Sequence, residues 1–278
     1  MTFREKLLAA QQRNQSWLCV GLDPDPARFP ALPELAGTGG LAGFCKAIVD
    51  ATADLACAFK PNLAFFLAHG SAGVAALEDV LSAIPVDMPV LLDAKFGDIG
   101  STQRMYGQAA FGALGADALT VSPYVGEDAV TPLLDAHPGK GLFVLARTSN
   151  PDAPRFQNHP GQPPHMYQQV VGAAQGWARA YPQSTVGVVV GATYEAELEA
   201  IRAAAPSLPF LIPGVGVQGG TLDAAVRFGA TADGLGPLIN ASRRVLYAGG
   251  GADFAAAARQ AALELRDAIN NLRNLQEG

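Results

Sequence analysis

The chain has 278 residues, 49% of them apolar, and a net charge of −6 at neutral pH. That is ample material for a sizeable core, and the scattered lysines and arginines give no basic footprint of a nucleic-acid binder. The longest apolar stretches hold roughly ten residues or fewer, too short to span a bilayer, so neither nucleic acid nor a membrane is an expected partner.

The first residues, Met1-Thr-Phe-Arg-Glu-Lys6, read as a polar helix start rather than a signal peptide with an apolar centre. Strand-like runs then alternate with amphipathic, alanine-rich segments. Strands are predicted over 17–22, 57–60, 90–93, 118–121, 142–146, 186–190, 210–212 and 234–239. Helices are predicted over 41–55, 72–84, 102–114, 167–180, 194–205 and 254–275, the last with Leu265, Ile269 and Leu272 at helical spacing. Eight strands each followed by a helix predict an α/β fold, a single-domain (β/α)8 barrel over 1–278. A doubly wound open sheet is the rival. It usually has fewer strands and favours a glycine-rich loop after the first one, where this chain reads Gly21-Leu-Asp-Pro-Asp-Pro26.

The longest stretch without periodicity, 148–164, follows the fifth strand, on the face where barrel enzymes keep their sites. Cys19, Cys45 and Cys57 lie in apolar contexts and read as buried free thiols, in keeping with a reducing cytosol. His69, His137, His159 and His165 form no metal-ligand pattern.

Polar residues interrupt the apolar strands at one end. The segment from Asp93 to Thr102 reads Asp-Ala-Lys-Phe-Gly-Asp-Ile-Gly-Ser-Thr and directly follows an apolar run. Asp93 and Lys95, two apart, are expected on one face of the strand. Asp98 follows where the chain turns, with Gly97 and Gly100 beside it. Burying charge is costly unless the groups pair, so this cluster suggests a site kept for chemistry rather than a loop-closing salt bridge.

Asp23 ends strand one, Lys60 ends strand two and Ser149 follows strand five. Strand seven runs into Pro213-Gly-Val-Gly-Val-Gln-Gly-Gly220, and strand eight into Asn240-Ala-Ser-Arg-Arg244. A turn aspartate, a snorkelling lysine and solvated arginines would each explain one of these, but not their gathering at one end. The last two segments suggest a phosphate. Glycine-rich loops let backbone N–H groups approach an anion, and barrels commonly hold phosphate after strands seven and eight.

Together these segments resemble the orotidine 5'-phosphate decarboxylase family in its longer-chain bacterial branch. Phe59-Lys-Pro-Asn-Leu-Ala-Phe-Phe66, Arg147-Thr-Ser-Asn-Pro151 and the Asp-x-Lys-x-x-Asp element appear in family order with the segments above. The resemblance implies decarboxylation of orotidine 5'-monophosphate to UMP without metal or organic cofactor, by a cytoplasmic homodimer with shared sites. It makes Lys95 the proton donor to C6 and puts Asp93 beside the substrate carboxylate. Lys60 and Asp98 would hold the charged array, Asp98 entering from the neighbouring subunit.

By the same resemblance Asp23 contacts the ribose, Thr102 contacts it across the dimer, and Ser149 meets the pyrimidine. Gln218 and Arg243 would bind the phosphate, with Arg244 as the alternative to Arg243. Leu67, Phe96 and Ser122 stand where the family pattern often has glutamate, arginine and asparagine. A metal-dependent sugar-phosphate decarboxylase or aldolase of the same superfamily is the alternative, but Lys60 would repel a metal there. A Schiff-base lysine needs a depressed pKa, whereas neighbouring carboxylates favour the charged form. A phosphate-ligand binding protein without turnover would be expected to show a broken charge network, and this one is complete.

Overall fold

The computed structural model describes residues 1–37, 39–215 and 222–277, with residues 276 and 277 described by their backbone alone. Its strands are β1 (Leu18–Leu22), β2 (Ala58–Pro61), β3 (Leu91–Phe96), β4 (Ala118–Val121), β5 (Gly141–Arg147), β6 (Thr185–Val190), β7 (Phe210–Ile212) and β8 (Leu238–Ala241). They run parallel in the order β2-β1-β8-β7-β6-β5-β4-β3. Two isolated parallel bridges, Phe59 to Val90 and Asn62 to Asp93, join β2 to β3 and close the ring. The result is the predicted (β/α)8 barrel.

Parallel neighbours cannot be joined by a hairpin, so helices return the chain from one strand to the next. In chain order these are α1 (Phe3–Asn14), α2 (Gly39–Thr52), α3 (Leu63–Leu67), α4 (Gly70–Ala83), α5 (Gly100–Gly107) and α6 (Thr131–Ala136). They continue with α7 (Pro154–Gln157), α8 (Met166–Ala180), α9 (Glu195–Ala204), α10 (Leu222–Arg227), α11 (Arg243–Leu246) and α12 (Phe254–Glu277). Among the described residues no helix is long and apolar enough to cross a membrane.

Alternation along each strand sorts the apolar side chains into two cores. Val20, Leu92, Leu119, Val144 and Val188 pack with the surrounding helices. Cys19, Leu91, Ala118, Phe143, Leu211 and Leu238 form a separate cluster inside the barrel.

Helix α1 closes the barrel floor. Thr2 and Glu5 cap its start reciprocally, and Phe3 and Leu7 join the inner cluster. The Phe3 ring meets Phe143 edge-on with centroids 5.8 Å apart. Gln11 exchanges two hydrogen bonds with the Gly236 backbone, at 2.9 and 3.0 Å. Glycine is required around these rings: a Cβ at Gly187 would come within 2.7 Å of Phe143, and one at Gly141 within 2.6 Å of Phe3. With the lower half of the barrel filled by apolar groups, only the upper, C-terminal end has room for a site.

The eighth strand lies further along the chain than the 234–239 prediction. Residues 231–235 instead form a turn in which the Thr231 hydroxyl accepts from Leu235 N at 3.0 Å and donates to the Asp233 carboxylate at 2.6 Å. Gly234 supplies the positive φ of +85°. Leu235 and Leu238 both feed the inner cluster, which gives the turn the apolar pattern of a strand. The shift puts Asn240 within β8 rather than after it. The helix predicted over 102–114 is split, α5 passing into a π-helical segment, Gln108–Ala113. The long loop after β5 carries the short α7.

Candidate active site

Two positions above the apolar floor, the inward faces turn polar. Lys60 follows Ala58 on β2, Asp93 follows Leu91 on β3, Thr120 follows Ala118 on β4, and Asn240 follows Leu238 on β8. These residues line a cavity of about 470 Å³. That is within the range of roughly 300–1,000 Å³ usual for small-molecule sites. Leu145, Val189, Leu211 and Pro213 supply an apolar wall to the same cavity.

Asp93 is the hub of the charged ring. Its carboxylate, only 8% exposed, takes the Lys60 ammonium on Oδ2 at 2.7 Å and the Lys95 ammonium on Oδ1 at 2.5 Å. Lys60 is 3% exposed, which rules out a snorkelling surface lysine, whereas the Lys95 side chain is 50% exposed. Burial disfavours the charge on Lys60, but the Asp93 and Asp23 carboxylates outweigh it and raise its pKa above the ordinary lysine value. Burial likewise opposes charge on Asp93, yet Lys60 and Lys95 hold its carboxyl well below the usual range. A raised lysine pKa is the opposite of what a Schiff-base nucleophile needs.

Asp93 and Lys95 meet as expected, but simple alternation does not bring them together. Between the pairs Leu92–Leu119 and Phe96–Val121, three residues of β3 face one of β4. Lys95 has a φ of +52°. This left-handed conformation costs a residue with a Cβ roughly 1–2 kcal/mol. Thr120 occupies the widened gap: its hydroxyl accepts from Ala94 N at 3.0 Å and Lys95 N at 2.9 Å, and donates to Asp93 Oδ1 at 3.0 Å. Sequence reasoning missed Thr120, because threonine is an ordinary strand former and carries no charge to mark it.

The remaining cavity groups come from β8 and from loops after the strands. Asp23 and Asn240 each present a buried Oδ1 with no hydrogen-bond partner among the described residues, so both acceptors are open to a ligand. Tyr247, just past α11, fixes the turn that carries Asp23: its hydroxyl donates to Asp23 O at 2.8 Å and accepts from Asp25 N at 2.7 Å. Burial pushes this phenol up to about 12, which keeps its proton in place at neutral pH. Arg28 covers the Tyr247 ring at 3.9 Å.

Ser149, Arg243 and Arg244 also line the cavity. A Cβ at Gly191 would lie 2.7 Å from the Ser149 Cβ, so that glycine lets the loop pass. Beneath the loop, the buried Arg147 guanidinium lies 3.7 Å over the Tyr194 ring and donates to Thr148 O at 2.9 Å. Gln157, a lining residue that sequence reasoning also missed, accepts from Thr148 N at 2.9 Å and donates to its hydroxyl at 2.7 Å.

The structure thus brings together Asp23, Lys60, Asp93, Lys95, Ser149 and Arg243, with Arg244 beside them. It does not bring in Asp98 or Thr102. Asp98 accepts from Ile99 N at 2.7 Å, Thr102 is exposed on α5, and neither lines the cavity of its own chain. Gln218 lies outside the described residues.

The family model described as orotidine 5'-phosphate decarboxylase / HUMPS matches residues 16–261. A curated protein named orotidine 5'-phosphate decarboxylase from Roseiflexus sp. (strain RS-1) is 50% identical over 274 residues, 97% of this chain and 98% of its own. One of the same name from Ralstonia pickettii (strain 12J) is 51% identical over 280 residues, 99% of this chain and 100% of its own. Among solved structures, OMP decarboxylase of Leishmania donovani matches with a TM-score of 0.84 at 38% identity, over 98% of this chain and 99% of its own. A family model that covers most of the chain, relatives of matching length and a shared barrel agree: this chain belongs to the orotidine 5'-phosphate decarboxylase / HUMPS family.

Proposed function

We propose that this chain converts orotidine 5'-monophosphate to UMP and CO₂ without metal or organic cofactor. The observation that carries the reading is the Asp93 carboxylate clamped between two ammonium groups at the edge of a cavity with an apolar wall. Loss of CO₂ leaves an electron pair at C6 of the pyrimidine. Preorganised positive charge stabilises that pair most effectively where the surroundings are apolar and water is excluded. Lys95 then gives a proton from its ammonium to C6, becomes neutral and regains a proton from solvent. Lys60 holds Asp93 in place from below, and Asp93 orients Lys95 next to the departing carboxylate.

In this reading Asp23 accepts from the ribose hydroxyls, Ser149 meets the base, and Arg243 with Gln218 holds the phosphate. The cavity reaches from the charged ring to Arg243 and Arg244, which suits a nucleotide with its phosphate at the far end. Binding energy from that remote phosphate fixes the ring against Lys95. The metal-dependent alternative loses ground because both Asp93 oxygens are already occupied by ammonium groups. The buried, unpaired Cys19, Cys45 and Cys57 accord with a reducing, cytoplasmic setting.

Loss of orotidylate absorbance, followed with EDTA present, tests the reaction. Undiminished turnover is the expected result; no turnover, or turnover abolished by chelation, overturns the reading.

The working unit is a homodimer in which Asp98 and Thr102 complete the partner's site. Their absence from their own cavity supports this, as do the exposed Ile99 and Met105 near them in sequence. A Lys95→Ala subunit and an Asp98→Ala subunit are each expected to be inactive alone. After exchange, half the dimers would hold one intact site, returning about a quarter of wild-type activity. No recovery after verified subunit exchange would rule out the shared site.

A further inference from the structure

We infer that Thr120 is a positioning residue for the reaction, its hydroxyl setting the backbone of Lys95 and the orientation of Asp93 at the same time. The inference rests on the assignment of Lys95 as proton donor.

Where β3 leaves the regular ladder, three of its residues face the single residue Thr120, and the amides of Ala94 and Lys95 lose the partners that a regular parallel pair would supply. Buried backbone donors require acceptors. The Thr120 hydroxyl meets both, accepting from Ala94 N at 3.0 Å and Lys95 N at 2.9 Å. Its single proton goes to Asp93 Oδ1 at 3.0 Å, the same oxygen that takes the Lys95 ammonium. Both lone pairs and the proton of this hydroxyl are therefore committed to the segment that carries the proton donor.

Two further facts show that the site depends on this hub. Lys95 is one of two residues other than glycine with positive φ among the described residues, and such a conformation persists only where its surroundings determine it. Thr120 is itself 1% exposed and lines the cavity, so no water competes freely for its bonds. Without the hydroxyl, Lys95 can relax to an ordinary strand conformation, which swings its side chain away from Asp93. Nothing in the substrate-binding groups at Asp23 or Arg243 depends on Thr120, so the effect belongs in turnover rather than affinity.

The test compares Thr120→Val, which keeps the shape and removes the hydroxyl, with Thr120→Ser, which keeps the hydroxyl and loses a methyl. Thr120→Val is expected to lower kcat by about 10²-fold, the penalty of a misplaced reacting group, with KM for orotidylate and affinity for UMP within about threefold of wild type. Thr120→Ser is expected to recover most of kcat. A folded valine variant with near-wild-type kcat overturns the inference, as does equal impairment of both variants, which would mark a packing role. If the valine variant does not fold, Thr120→Ala against Thr120→Ser carries the comparison: equal kcat overturns the inference, and a large gap in favour of serine supports it. The wild-type assay separates the two levels. Absence of wild-type turnover sinks the assigned reaction, whereas an active wild type with an unimpaired valine variant sinks only the role of Thr120.

Discussion

Lys95→Ala should lower turnover of orotidylate on the order of 10⁴-fold or more while UMP binding stays measurable. Two losses combine in that figure. A positioned general acid typically contributes about 10²–10⁴-fold, and one preorganised charge at the reacting centre contributes about 10²–10³-fold. The fold should survive, because Asp93 keeps Lys60 at 2.7 Å and the lost ion pair is half-exposed on the lysine side. Such pairs contribute about 0–1 kcal/mol. Lys95→Gly sharpens the case. It removes the same ammonium but suits the φ of +52°, so strain relief and the lost pair should nearly cancel. Its stability should lie within about 1 kcal/mol of wild type with activity equally lost. Single-turnover assays with UMP calorimetry read out both variants, and residual activity within tenfold of wild type would remove Lys95 from its role.

The second large effect is on stability, and it is asymmetric. Asp93→Asn leaves the Lys60 ammonium, 3% exposed, without its carboxylate at 2.7 Å. Removing one partner of a buried pair costs about 3–5 kcal/mol. Lys60→Met should cost less, because Asp93 retains Lys95 and the Thr120 hydroxyl. Urea denaturation of the two variants tests the order, and an equal or reversed order would contradict the hub role of Asp93.

The pH dependence follows from the same pair. The Asp93 carboxyl titrates below its unfolded value, so its contribution is present above about pH 4 and is lost as pH falls through the folded pKa. Lys60 titrates above its unfolded value, so its contribution is present below about pH 10 and is lost as pH rises through the folded pKa. Between these limits this part of the stability should be flat.

The sequence made the barrel and its charged ring legible for one reason: charge at the ends of apolar strands is conspicuous. Lys60, Asp93 and Lys95 each put a charge at the end of an apolar run and needed no structure to be noticed. Thr120 broke no pattern, since its methyl suits a strand and its hydroxyl matters only once β3 and β4 fall out of register. The eighth strand was misplaced because Leu235 in the turn serves the same inner cluster as Leu238 in the strand. Asp98 stood out as a third charge of the same cluster, but its role across the dimer, like the choice of Thr102, came only from resemblance, because the expected destination of both is a cavity in another copy of the chain.

The barrel interior has two storeys, an apolar floor built on Ala58, Leu91, Ala118 and Leu238 above the Phe3 and Phe143 rings, and a polar ring that begins two residues higher on the strands of those four residues. The two storeys answer to different demands, packing below and chemistry above. Exchanges around Phe3 and Phe143 act on the packing of the barrel first, since neither ring lines the cavity above. Positions 60, 93, 95, 120 and 240 carry the chemistry, and of these the buried Lys60–Asp93 pair also bears on the fold. One strand therefore serves two ends, its lower half the packing of the barrel and its upper half the chemistry.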